Sequence, residues 1–269
     1  MLCSASLEFN IFGFSQMLGH HFVFVWMWCV AGSSILARLI MRESLRDTSF
    51  RWGGWTTTRA ALIGTAFPVA VGLIAYSLSW ITGLSHFAVN KIPETIFGIP
   101  ITGPTAMRFG KYLLISLTVG GLWNCRSTAG EEIGWRGYML TRLIDSGLPA
   151  PIFISGFIWA IWHTPLILSG VYTSAPNSIL SIVVFVADII AVGYVFAWLR
   201  LSSGSIWPCV WAHSVWNAII LGPFDESTIG GGIWVGEAGL LTTFVAILFA
   251  IALYGIWPLR PQGSAPDQD

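Results

Sequence analysis

The segment IVVFVADIIAVGYVFAWL, residues 182–199, holds one charged side chain, Asp188, and is apolar on every side. A helix on the surface of a water-soluble fold needs a polar face, and this one has none. Comparable apolar runs lie at about 19–41, 60–84, 110–130, 150–169, 178–200, 205–222 and 237–258. A transmembrane helix needs about 20 mostly apolar residues, so each run is a candidate span. A β-barrel would need alternation over about ten residues, which these runs lack. The expected fold is therefore an all-α, polytopic transmembrane helix bundle of about seven spans. Composition agrees: 10 % of residues are charged and 55 % hydrophobic, where a soluble domain carries about 25 % charged. The 15 Trp and 6 Tyr fit a bilayer, because both rings favour the headgroup level.

Net charge is zero, so no global field argues for nucleic acid, and membrane lipids are the expected surroundings. The distribution of charge says more. Arg38, Arg42, Arg46, Arg51, Arg59, Arg126, Arg136, Arg142, Arg200 and Arg260 fall on one side of the expected spans, and Lys91, Arg108 and Lys111 on the other. The richer side is expected to be cytoplasmic, which places the N-terminus outside and the C-terminus inside the cell membrane. The first 21 residues hold no Lys or Arg, so the first span is expected to be retained rather than cleaved as a signal peptide. Cys3, Cys29, Cys125 and Cys209 show no CxxC spacing, which argues against a zinc knuckle or a redox pair. No internal repeat is visible. The tail after Pro258 is polar and expected to be disordered.

Ionisable groups inside membrane helices cost about 2.5–3.5 kcal/mol each on insertion scales, so each needs a reason. Three places stand out: Glu131-Glu132-Ile-Gly-Trp-Arg136, Trp159-Ala-Ile-Trp-His163 and His213-Ser-Val-Trp-Asn217. On a helix Glu132 and Arg136 share a face and are expected to pair. Glu131 points about 100° away and is left for other work. An interfacial amphipathic helix would explain the same charges. His163 precedes Pro165 by two residues, and that proline cannot donate to the Ile161 carbonyl, which opens the helix beside the imidazole. His213 and Asn217 share a helix face and converge on one point between helices. Each could instead be a polar clamp between helices. Asp188 has no assigned role.

Taken in order, the three segments resemble the EExxxR, FxxxH and HxxxN/B series of the CPBP family, the type II CAAX prenyl endopeptidases and their abortive-infection-like bacterial relatives. EEIGWRGYML, HTPLILSGVY and GYVFAWLRLSSGSIWPCVWAHSVWNAI look similar as well. The one departure is Trp159 where the family usually has Phe, which keeps an aromatic wall. The resemblance divides the chain into an N-terminal transmembrane region without a readable motif (1–109), a CAAX-protease-like core (110–222), and a last span with a polar tail (223–269). It implies an intramembrane endopeptidase acting on a membrane-associated protein or peptide, possible CAAX-type processing included. Glu131, His163, His213 and Asn217 would form the active site. Glu131, with His163, would deprotonate a water, and His213 and Asn217 would donate to the oxyanion. Glu132, Arg136 and Trp159 would support them. No cofactor is favoured, because HExxH is absent. Zn2+ on Glu131, His163 and His213 is the alternative. A non-proteolytic scaffold or immunity protein of the same fold, or a proton-coupled transporter, would use the same polar residues differently.

Overall fold

The computed structural model describes residues 16–168 and 179–259, with side chains from Val23 onward. The expectations for the first 15 residues, the end of HTPLILSGVY and the tail from residue 260 lie outside the described residues. The described chain is mostly helical. Helix α1 covers Gln16–Met41, α2 Trp55–Thr82, α3 Thr105–Ile115, α4 Gly121–Gly134 and α5 Leu140–Asp145. These are followed by α6 Pro151–Trp162, α7 Thr164–Leu168, α8 Ile179–Ser203, α9 Trp207–Ile219 and α10 Leu240–Ile256.

Among the described residues, three helices are long and apolar enough to cross a membrane: Val23–Met41 of α1, α2 and α8. The other four expected spans differ from a plain 20-residue helix, each for its own reason. The third was expected to end at residue 130, but α3 and α4 are joined by a π turn at Ser116–Gly120, and a second π turn at Trp135–Met139 carries the helix on into α5. Hydropathy falls at the two glutamates while the backbone continues. The fourth is cut at His163 into α6 and α7, where Pro165 removes the donor that would have bridged the break. Helix α9 runs into a third π turn, Ile220–Phe224, containing Pro223. Helix α10 starts at Leu240, after a turn in which Leu240 and Leu241 donate backbone N–H groups to the carbonyls of Ile233 and Trp234.

Two polar ends fix how the helices run. At one end the α1–α2 loop meets the α8–α9 connection: the backbone N–H of Ile206 donates to the Ser49 carbonyl (3.1 Å), and the Trp207 indole donates to the Phe50 carbonyl (2.6 Å). Ion pairs Arg38–Asp47 (2.6 Å), Arg142–Glu43 (2.7 Å) and Arg142–Asp47 (2.8 Å) join the same loop to α1 and α5. At the other end β1 (His86–Phe87) pairs antiparallel with β4 (Thr228–Ile229), His86 opposite Ile229. There the Trp80 indole donates to the Thr228 hydroxyl at 3.1 Å, and the Tyr112 hydroxyl donates to Glu226. A short hairpin of β2 (Thr95–Ile96) and β3 (Ile99–Pro100) lies between α2 and α3.

Between these ends one apolar cluster, drawn from α1, α2, α6, α8, α9 and α10, fills the bundle, with Phe67, Phe196, Trp159, Trp216 and Phe224 among its largest members. Phe67 stacks on Trp216 with ring centroids 5.3 Å apart. Close helix approach depends on small residues, as is usual where lipid offers no hydrophobic drive for packing. A Cβ on Gly134 would lie 2.4 Å from Val30 Cγ1 and 2.7 Å from the Val30 carbonyl oxygen, and one on Gly130 would lie 2.9 Å from the Trp28 Cα. The α4 backbone is thereby pressed onto α1 on both sides of the glutamate pair. Gly134→Val should therefore push α1 off α4 and destabilise the protein by at least about 1–3 kcal/mol, the usual cost of overpacking. A thermal unfolding midpoint in detergent equal to that of the parent would contradict this contact.

Candidate active site

The two glutamates close helix α4, and two contacts set their register against α9. The Thr128 and Ser214 hydroxyls share a hydrogen bond of 2.6 Å, and the Thr128 hydroxyl reaches the Val210 carbonyl at 3.2 Å. One turn further on, Glu132 faces His213. Glu132 Oε1 accepts from Arg136 Nη1 at 2.9 Å and from His213 Nδ1 at 2.8 Å. The Glu132–Arg136 pair has the partners that their spacing predicts; the link to His213, 81 residues away, joins two helices. All three side chains are buried.

Glu131 turns to the other side, where both indoles of its neighbourhood meet it. Trp135 Nε1 donates to Glu131 Oε2 at 3.2 Å and Trp159 Nε1 to the same oxygen at 2.8 Å. Among the described residues no such bond reaches Oε1. Trp159 thus does more than wall the site. Its indole N–H holds Glu131, a bond that a Phe at this position cannot make. The Arg136 guanidinium lies over its ring at 4.2 Å, and its centroid stands 5.7 Å from the His163 ring and 5.5 Å from the His213 ring.

His163 occupies the break between α6 and α7. Its Nδ1 is 2.9 Å from the Trp159 carbonyl oxygen. A carbonyl and a carboxylate only accept, so Nδ1 carries a hydrogen in both His163 and His213, and in the neutral ring the lone pair is on Nε2. Both imidazoles are 6 % exposed and Glu131 is 3 % exposed, so the group is closed off from bulk water. Six of the sequence-derived residues are brought together here: Glu131, Glu132, Arg136, Trp159, His163 and His213. Asn217 lies one turn beyond His213 on α9, half-buried, with no hydrogen bond to any of them.

Sequence motifs gave no sign of Glu237. It sits in the turn before α10, next to Gly236, whose N–H donates to the Tyr76 hydroxyl at 3.1 Å. Its carboxylate lies within electrostatic reach of His213 and Glu131, and its Oε2 is buried without a partner. Asp188, on α8, is fully buried beside Thr243, and neither oxygen has a partner at full hydrogen-bond geometry among the described residues. A zinc site would need three donors converging on one point. Among the described residues no three His, Cys, Asp or Glu side chains stand so as to hold a metal ion, and one oxygen of Glu131 is already occupied by two indoles.

The model of the Rce1-like type II CAAX prenyl endopeptidase family matches residues 109–219. This segment belongs to the Rce1-like family. It runs from α3 to the end of α9 and contains every residue of the cluster around Trp159. The match covers less than half of the chain, and at the level of the family it points to a peptide hydrolase. No curated protein and no solved structure matches the chain. Glu237 and the α1 contacts of Gly130 and Gly134 therefore bring residues from outside the Rce1-like segment to its site.

Proposed function

We propose that this protein is an intramembrane endopeptidase that hydrolyses a peptide bond of a membrane-associated protein or peptide with a water activated by Glu131. The observation that carries the reading is the arrangement around Trp159: a buried glutamate with one oxygen held and one oxygen open, and two imidazoles whose Nδ1 atoms are both committed. Fixed Nδ1–H groups hold each imidazole in one orientation, which is the preorganisation a proton-transfer site needs.

In this mechanism Glu131 Oε1 takes a proton from a water, and the water oxygen attacks the scissile carbonyl carbon. The carbonyl π bond opens to an oxyanion. His213 Nε2, when it carries a proton, and the Asn217 amide donate to that oxyanion. Glu132 and Arg136 orient His213 through its Nδ1–H. The proton held by Glu131, or one relayed by His163 Nε2, passes to the leaving nitrogen as the C–N bond breaks. No step passes through a metal. The bundle is placed with the Arg-rich end in the cytoplasm, the N-terminus outside and the C-terminus inside the cell membrane.

The test is a comparison of membranes carrying the wild type or Glu131→Gln, read as new peptide termini by mass spectrometry. Termini that appear with the wild type, vanish with the variant and persist in a zinc chelator are the expected result. Loss of cleavage in chelator with recovery on added zinc would overturn the metal-free step. An intact fold with no cleavage by either form would favour the scaffold reading instead.

A further inference from the structure

The α1–α2 loop at the Arg-rich end carries more positive charge than its own acids can use. Between Arg38 and Arg59 the only acids are Glu43 and Asp47, and both are taken. Asp47 pairs with Arg38 and Arg142, and Glu43 with Arg142. Burial works against the Asp47 charge, but the hydrogen bond and charge of Arg38 and the charge of Arg142 outweigh it and hold the carboxyl below its ordinary value. Asp47 therefore stays committed to these two partners at neutral pH. Arg42, Arg46 and Arg51 are left exposed, and no ion pair or hydrogen bond engages their guanidinium groups among the described residues. Arg59, also exposed, lies over the Trp257 ring at 4.6 Å.

The loop is not a floppy charged strand. The Ser49 hydroxyl donates to the Gly204 carbonyl, Phe50 is held by the Trp207 indole at 2.6 Å, and Arg38 reaches back to the Gly137 carbonyl at 3.0 Å. On this fixed platform Trp52 is 56 % exposed and Trp55 73 % exposed. The loop joins the last residue of one membrane-long helix, Met41, to the first residue of another, Trp55. Its arginines and indoles therefore stand at the level of the lipid headgroups.

We propose that Arg42, Arg46 and Arg51, with Trp52 and Trp55, form a binding site for the phosphate headgroups of anionic phospholipids in the surrounding leaflet. Each guanidinium brings a positive charge to anionic headgroups, and indole rings favour the boundary between headgroup and hydrocarbon. An acidic soluble partner would satisfy the arginines but would give no reason for two exposed indoles beside the hydrocarbon edge. Each arginine near an anionic membrane surface strengthens attraction by about fivefold.

The experiment uses the full chain in detergent, with phosphatidylglycerol and phosphatidylcholine added as competing probes and retained lipid counted by native mass spectrometry. The wild type should keep phosphatidylglycerol at least about tenfold over phosphatidylcholine, since three arginines act together. The triple Arg42→Gln/Arg46→Gln/Arg51→Gln variant should lose that preference, whereas the triple Arg→Lys variant at the same positions should keep most of it. Lys111→Gln, at the opposite end of the bundle, should change nothing. A wild type without preference, as expected if an acidic protein is the natural occupant, would overturn the proposal. So would a Gln triple that retains the preference, or a Lys triple that loses it as fully as the Gln triple. Unchanged melting temperatures in the triple variants exclude unfolding as the cause.

Discussion

Replacing Glu131 by Gln is expected to slow peptide hydrolysis about a hundred- to ten-thousand-fold, the usual contribution of a general base. Gln is nearly isosteric, and its carbonyl oxygen can still accept the Trp135 and Trp159 indole N–H groups that meet Oε2 in the parent. It cannot take a proton from water at neutral pH. Thermal stability should change little, because Arg136, the permanent cation of the cluster, is served by Glu132. A second substitution isolates the role of the indole. Trp159→Phe restores the residue usual in the CPBP series and keeps a ring between the two imidazoles, while removing the 2.8 Å bond to Glu131 and part of the buried ring beneath Arg136. It should lower the rate less than Glu131→Gln does, because the base remains. Purified Glu131→Gln protein that cleaves a wild-type substrate at more than about a tenth of the normal rate would sink the assignment.

The separation of the two glutamates by helical phase was legible in the sequence, since a four-residue spacing needs only the geometry of one helix. Contacts across helices were not. That His213 gives its Nδ1–H to Glu132 depends on how α4 and α9 slide past each other, which the Thr128–Ser214 bond fixes and no local pattern reveals. Trp159 read as an aromatic wall because the motif records a ring and says nothing of an N–H. The expected end of the third span at residue 130 failed for a related reason. A hydropathy window stops where charge begins, whereas the helix continues because Glu131 and Glu132 find donors inside the bundle. The π turn at Trp135–Met139, of a kind often found at functional sites, leaves no trace in residue type. Glu237 belongs to no motif and reaches the site only through the turn ahead of α10.

Replacing Glu132 by Gln should have the opposite signature to Glu131→Gln, a large loss of stability. Arg136 is 1 % exposed and Glu132 0 % exposed, so the carboxylate compensates a cation that has no water to turn to. Removing one partner of a buried ion pair costs about 3–5 kcal/mol, because the other charge is left uncompensated. The faces of Trp159 and Phe196, 4.2 and 5.1 Å from the Arg136 guanidinium, offset part of that loss but supply no anion. Glu132 also anchors His213 through the 2.8 Å bond to Nδ1, so whatever protein folds should lose activity too, with the imidazole no longer held in one orientation. Adding Arg136→Met removes the stranded charge and fills its volume with apolar atoms. The double variant Glu132→Gln/Arg136→Met should therefore be more stable than Glu132→Gln alone, while activity stays low because His213 still lacks its carboxylate. Unfolding midpoints for the two single variants and the double give the coupling directly, and residues in such contact show about 0.5–3 kcal/mol. Losses that simply add would mean that Arg136 does not depend on Glu132, and the pairing read from the 2.9 Å contact would then contribute nothing to the fold.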